Sequence, residues 1–223
     1  MMSVPFVVVS DFDGTITERD LVVALTTRFN PANQTVVDQI NARQLHLKEG
    51  LEILFQTLPS ADRSTYESFL RNEAIFRTGF HRFERLLEDA RIPFYIVSNG
   101  LDFMLNAVLG ENSPHAVRMA NQARFDGEVI QIGWQYPCTP PCPGGCGLCK
   151  HAVVEELRRR YQAPVVFIGD GVTDFNGALH ADTVFARSRL ADFLEQAGKP
   201  YIPFDSFDDI MTQLFVPVEG GAS

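Results

Sequence analysis

Three apolar runs constrain this chain more than any other feature: "FVVVSD" (Phe6–Asp11), "PFYIVSNG" (Pro93–Gly100) and "APVVFIGDG" (Ala163–Gly171). None alternates between polar and apolar, and each stops on polar or acidic residues. A strand exposed on one face alternates, whereas a strand covered on both faces does not. The runs therefore predict parallel strands with helices on each side, and "DTVFA" (Asp182–Ala186) predicts a fourth. "GFHRFERLLEDA" sets Phe80, Phe83, Leu87 and Ala90 on one helical face, and "HAVVEELRRRY" does so with Val153, Val154 and Leu157. Strand and helix alternate, which predicts an α/β fold with a doubly wound parallel sheet.

Two insertions interrupt this alternation. Residues 21–78 contain no convincing strand, but "LVVALTTRF", "TVVDQINARQL", "HLKEGLEILFQTL" and "ADRSTYESFLRNEA" all read as helices. A simple crossover needs fewer helices, so 21–78 is predicted to be a helical subdomain. Residues 1–20 and 79–223 are left as the core. The second insertion, 117–149, holds "VRMANQARFDGEVIQIGWQ", which predicts short strands around the Asp126-Gly127 turn, and then a Cys-rich loop. The tail "VEGGAS", 218–223, is expected to fray.

Charge narrows the partners. Nineteen basic and 28 acidic residues give a net charge of −9, which repels a nucleic-acid or anionic membrane partner. The densest basic run, Arg158–Arg160, ends a predicted helix and complements its dipole. Phe6–Val9 is too short for a signal peptide, and no apolar run approaches the roughly 20 residues of a membrane span. A cytoplasmic protein is expected, and a homo-oligomer is left open.

Ligands of open parallel sheets bind beyond the carboxyl ends of the strands. Asp11, Ser98 and Asp170 lie at such ends, and Asp13 and Asp174 follow closely. Carboxylates converging there repel one another unless a cation joins them. Oxygen ligands with room for water suit Mg²⁺ better than zinc. The combination points to phosphoryl transfer on a small phosphorylated metabolite. Asp11, at the rigid strand end, is the expected nucleophile, and Asp13 the expected acid and base. Gly14 allows amides to approach a phosphate, and Thr15 beside it is expected to bind that phosphate; Ser98 offers a hydroxyl, and Asn99 and Gly100 are expected to open the next helix with free N–H groups. Lys150, opening the helix before the third strand, supplies the balancing positive charge.

The ordered set "DFDGT", "VSNG", "CK" and "IGDGVTD" resembles the haloacid dehalogenase superfamily of phosphatases over almost the whole chain. The resemblance implies a Rossmann-like core and an inserted cap over 21–78. It implies an aspartyl-phosphate on Asp11, acid/base chemistry by Asp13, and phosphate binding by Ser98 and Lys150. Mg²⁺ would be held by Asp11, the main-chain carbonyl of Asp13, and Asp170, with Asp174 orienting the site. "YPCTPPCPGGCGLCK", with "DFDGTIT" and "IPFYIVSNGLDF", is similar to the methionine-salvage members acting on 2-hydroxy-3-keto-5-methylthiopentenyl-1-phosphate. Phosphoserine and phosphocholine or phosphoethanolamine phosphatases are the alternatives. A phospho-acceptor signalling module shares the strand-end acid, Mg²⁺ and lysine, but is roughly half this length and has no cap.

Cys138, Cys142, Cys146 and Cys149 form C-x3-C-x3-C-x2-C. In a cytosolic chain this clustering favours a structural zinc, with two disulfides or free thiols as alternatives. His46, His81, His115, His151 and His180 share no metal-binding spacing; His151 adjoins Lys150. Asp20, Arg28, Arg43 and Lys48 could reach substrate from the helical insertion.

Overall fold

A computed structural model describes residues 4–111, 113 and 115–215. The tail expected to fray lies outside the described residues. The chain enters through β1 (Val7–Ser10) and passes directly into four helices: α1 (Leu21–Phe29), α2 (Asn33–Asn41), α3 (Leu47–Gln56) and α4 (Arg63–Glu73). It returns through α5 (Phe80–Asp89), β2 (Phe94–Leu101), α6 (Asp102–Leu109), β3 (Val117–Arg124) and β4 (Gln131–Gly133). Then follow α7 (Lys150–Tyr161), β5 (Val165–Gly169), α8 (Phe175–His180), β6 (Thr183–Ala186), α9 (Ser188–Gln196), β7 (Ile202–Pro203) and α10 (Phe207–Phe215).

One sheet runs in the order β4-β3-β2-β1-β5-β6-β7. All neighbours are parallel except β3 and β4. β3 continues the main sheet outward from β2, and β4 folds back along its far edge. β1 sits centrally, with Val8 in register with Phe94 of β2 and Val166 of β5.

Two cores explain the missing alternation. Val8, Ile96, Val166 and Ile168 face a layer containing Phe80, Phe83, Leu87 and Phe207. Their neighbours Val7, Val9, Val97, Val165 and Phe167 face the opposite layer, with Val153, Val154 and Leu157. Successive strand residues point to opposite faces, so burial of both faces demands apolar residues at every position. Helix α5 buries Phe80, Phe83 and Leu87 as its spacing predicts, but Ala90 caps its end and is exposed. Glu84 takes a buried place on that face instead. A register shift between Val97 and Leu101 prolongs β2, so Asn99 and Gly100 lie on the strand and the next helix starts at Asp102.

The four-helix excursion leaves and rejoins the core through one narrow waist. Thr17 bridges Phe76, the Glu18 amide donates to the Ile75 carbonyl at 2.9 Å, and the Arg77 amide to Ile16 at 2.8 Å. A second tie runs sideways: the Ser60 amide donates to Glu128 at 2.9 Å and Ile130 to Leu58 at 3.0 Å. Among the described residues no helix is long and apolar enough to cross a membrane. Arg158 and Arg159 pair with Glu155 and Glu156 on their own helix.

Candidate active site

The central strand delivers Asp11 to the sheet edge. Its amide donates to the Ile168 carbonyl at 2.9 Å, which fixes it against β5. The chain then turns at Gly14, whose φ is +82° and where a Cβ would lie 2.6 Å from Asp170 Oδ2. A side chain there would displace the neighbouring carboxylate, so the close approach requires glycine. The buried Arg77 clamps this turn from below. Its Nε donates to the Thr15 carbonyl at 2.8 Å and Nη2 to Gly14 at 2.7 Å. No local sequence pattern marks Arg77, whose partners lie 62 and 63 positions away.

Lys150 arrives from the first turn of α7 and is 2% exposed. Its Nζ donates to Asp11 Oδ1 and, at 2.6 Å, to Asp174 Oδ1. The other oxygen of Asp174 accepts the amides of Asp170 and Gly171 at 3.1 and 2.9 Å. Thr15 donates to Asp170 Oδ1 at 2.8 Å, so its hydroxyl orients a carboxylate. Carboxylate oxygens of Asp11, Asp170 and Asp174 lie within 4.8 Å of one another. One ammonium faces three acids. Burial, then the charge of Asp174, raises Asp11 well above the ordinary carboxylate range against the opposing pull of Lys150. The same two causes raise Asp170 to about 7. Burial alone would lower Lys150, but the Asp11 and Asp174 charges hold it protonated. A compact, all-oxygen, charge-deficient set fits a hard divalent cation such as Mg²⁺.

Asp13 turns away from this trio. Its Oδ1 accepts the Leu21 amide at 3.0 Å and its Oδ2 the Ser98 hydroxyl at 3.0 Å. Burial, then the charge of Asp20, raises Asp13 to about 7, while the bonds from Ser98 and Leu21 oppose the shift. Ser98 also accepts the Gly100 amide at 2.9 Å. Asn121 holds the strand end, donating to the Asn99 carbonyl at 2.8 Å. Both side-chain polar atoms of Asn99 are buried without a partner among the described residues.

A cavity of about 630 Å³ opens above these groups, between the sheet edge and the helical excursion. Asp11, Asp13, Asn99 and Asp170 line its floor, whereas Val22, Val37, Ile40, Leu47, Leu51 and Leu54 line its helical side. Asp20 and Arg43 also border it. Arg28 and Lys48 do not line this cavity, and the Lys48 ammonium stands 5.2 Å over the Trp134 ring.

The family model of haloacid dehalogenase-like hydrolases matches residues 8–178, which span both the strand-end acids and Lys150. The chain belongs to this family. Similar curated relatives include a 2-hydroxy-3-keto-5-methylthiopentenyl-1-phosphate phosphatase of Bacillus mycoides, 35% identical over 92% of this chain and 93% of that one. The enzyme of the same name from Bacillus cytotoxicus is 36% identical over the same shares. Among solved structures, a phospho-aspartyl intermediate analogue of phosphoserine phosphatase superposes with a TM-score of 0.73. It is 14% identical and covers 95% of this chain and 99% of that one, a likeness of fold.

This haloacid dehalogenase-like hydrolase is a phosphatase, and the signalling-module alternative gives way to relatives named phosphatase over 92% of the chain. Two further clusters lie outside the acid-lined cavity. Cys138, Cys142, Cys146 and Cys149 converge ahead of Lys150, and His151 packs on His180 with ring centroids 4.0 Å apart beside Glu155. No sequence spacing joins the two histidines, because α7 and α8 meet only in the tertiary fold.

Proposed function

We propose that this phosphatase hydrolyses 2-hydroxy-3-keto-5-methylthiopentenyl-1-phosphate through an aspartyl-phosphate on Asp11, with Mg²⁺ as cofactor. The cavity carries this reading: its floor is acidic, and aliphatic residues dominate its helical side, beside Asn41, Arg43 and His46. The methylthio end of that substrate is apolar and would meet the aliphatic wall while its phosphate meets the floor. Phosphoserine and phosphocholine instead present charged groups to that wall. Residues 21–78 act here as a cap over the core, joined to it at the Thr17–Phe76 waist and shielding the cavity from water.

In the first step Asp11 attacks phosphorus, the bond to the substrate oxygen breaks, and Asp13 gives that oxygen its proton. In the second step Asp13 takes a proton from water as the water oxygen attacks the phosphorus of phospho-Asp11. The phosphorus–Asp11 bond breaks, inorganic phosphate leaves and both acids are restored. Against the burial that favours its neutral form, Lys150 donates to Asp11, aims it and pulls it toward the ionised nucleophile. Asp174 positions Lys150 and the Asp170 amide. Ser98 and the Leu21 amide hold Asp13 at the cavity floor. Asp11, Asp170 and the Asp13 carbonyl would ligate Mg²⁺, which when bound neutralises the approach of two anions.

The test is a comparison of kcat/KM for the methylthiopentenyl phosphate, phosphoserine, phosphocholine and phosphoethanolamine in Mg²⁺ buffer. The first substrate should lead by about 10²-fold or more, a margin available from an apolar pocket facing charged competitors. A higher value for any of the other three would overturn the substrate.

A further inference from the structure

We propose that Cys138, Cys142, Cys146 and Cys149 bind a structural zinc ion, and that this centre fastens the cap-facing loop to the helix carrying Lys150. The four sulfurs lie within 4.8 Å of one another, and the Cys142 and Cys146 sulfurs are 3.5 Å apart. Zinc–thiolate bonds of about 2.3 Å in a tetrahedron place sulfurs about 3.8 Å apart, so this quartet matches a closed four-thiolate shell. None of the four cysteines is joined in a disulfide; Cys149 is buried and the others are half-buried. Four sulfur donors with no carboxylate or open position suit a structural ion.

The chain around the quartet is built to fold inward. Gly145 has a φ of +77°, and a Cβ there would stand 2.9 Å from His46. Between β4 and α7 the segment has no helix or strand to hold it. It nevertheless connects three elements. On the cap side, the Lys48 amide donates to the Gly145 carbonyl at 3.0 Å. Trp134 reaches the same helix, donating from Nε1 to Glu52 at 2.8 Å, while Gly147 packs on its ring. On the core side, the Cys149 amide donates to Tyr136 at 3.1 Å and Leu148 is fully buried in the second core. Cys149 is itself the residue that caps α7, and Lys150 is the next. A metal at the sulfurs thus fixes three things together: the base of cap helix α3, the Trp134 strut and the first turn of the lysine helix.

The proposal does not rest on the substrate assignment, because metal content is read without turnover. Full-length protein purified without chelator, then dialysed against Mg²⁺ buffer, should retain about one zinc per chain by elemental analysis. Exchange of that zinc for Co²⁺ should give intense red-region bands of tetrahedral sulfur coordination. Cys142→Ser should lower zinc retention about tenfold or more. If that variant fails to fold, the Co²⁺ spectrum of the unaltered chain decides. Removal of zinc with Mg²⁺ restored should speed proteolysis within 138–149 about tenfold, and added zinc should reverse it. Zinc-free native protein with four titratable thiols, iron in place of zinc, or two disulfides by mass would each overturn the proposal.

Discussion

Lys150 and Asp174 are joined at 2.6 Å between Nζ and Oδ1, with side chains only 1% and 0% exposed. The same ammonium also serves Asp11, so one buried positive charge holds two buried acids, with Asp170 beside them. Replacing a lysine in such a cluster leaves carboxylates without a counterion, which costs about 3–5 kcal/mol. Lys150→Met should therefore be strongly destabilised without divalent cation and should lose phosphatase activity. Mg²⁺ should raise its melting temperature more than it raises that of the unaltered enzyme, because cation and lysine share the neutralisation. Equal Mg²⁺ shifts in the two proteins would contradict that sharing.

Asp13→Asn separates chemistry from metal binding. The Asp13 side chain points to Ser98 and Leu21, away from the Asp11–Asp170–Asp174 trio. Loss of its proton transfer should lower kcat by about 10²–10⁴-fold, with stabilisation by Mg²⁺ unchanged. Acid-quenched protein should carry phosphate on Asp11, detectable by mass spectrometry, since activation of water for the second step suffers too. Full turnover in this variant would remove Asp13 from the mechanism.

The pH profile reports the same residue. Asp13 is raised to about 7 by burial first and the Asp20 charge second. As the acid of the first step it must be protonated, so kcat/KM should fall as pH rises through about 7. A negative neighbour makes ionisation harder, and removing it makes ionisation easier. Asp20→Asn should therefore move this alkaline limb to lower pH. A limb that stays in place, or moves upward, would break the link between the two acids.

Much of this site was legible because its chemistry sits at strand ends. Asp11 and Asp170 follow apolar runs whose lack of alternation marks central strands, and central parallel strands end at one edge; Ser98 instead lies inside the prolonged β2, just past Val97 where the ladder shifts. Lys150 was legible through its place at a helix start. Arg77, Asn121 and the Trp134 strut were not, because each acts on backbone or side chains brought near only by the fold. The Thr15 hydroxyl donates to Asp170, a matter of one rotamer that no spacing encodes. The short β7 escaped for another reason: two residues on a sheet edge leave no pattern.

Glu84 illustrates what periodicity hides. It shares the buried face of α5 with Phe80, Phe83 and Leu87, and is 4% exposed. One carboxylate oxygen accepts the Ser113 hydroxyl at 2.9 Å, and the other has no partner among the described residues. Burial raises its pKa, against the smaller opposing effects of Ser113, His115 and Arg118. The folded protein thus binds this proton more tightly than the unfolded chain, whose glutamates titrate near about 4.3. Its contribution to stability is fully present below that value and is lost as pH rises through the raised folded pKa. Glu84→Gln removes the ionisation, so the variant should be more stable than the unaltered protein at pH 8. A buried ionised carboxylate costs more than a buried neutral amide, so the gain should be on the order of 1 kcal/mol. In a chain of this size each kcal/mol corresponds to about 2–4 °C of melting temperature. The gap should shrink as pH falls toward about 4, where both side chains are neutral. Urea denaturation of both proteins at pH 5 and pH 8 measures the difference; a gap that is the same at both, or larger at pH 5, would show that the Glu84 charge is not what strains this helix.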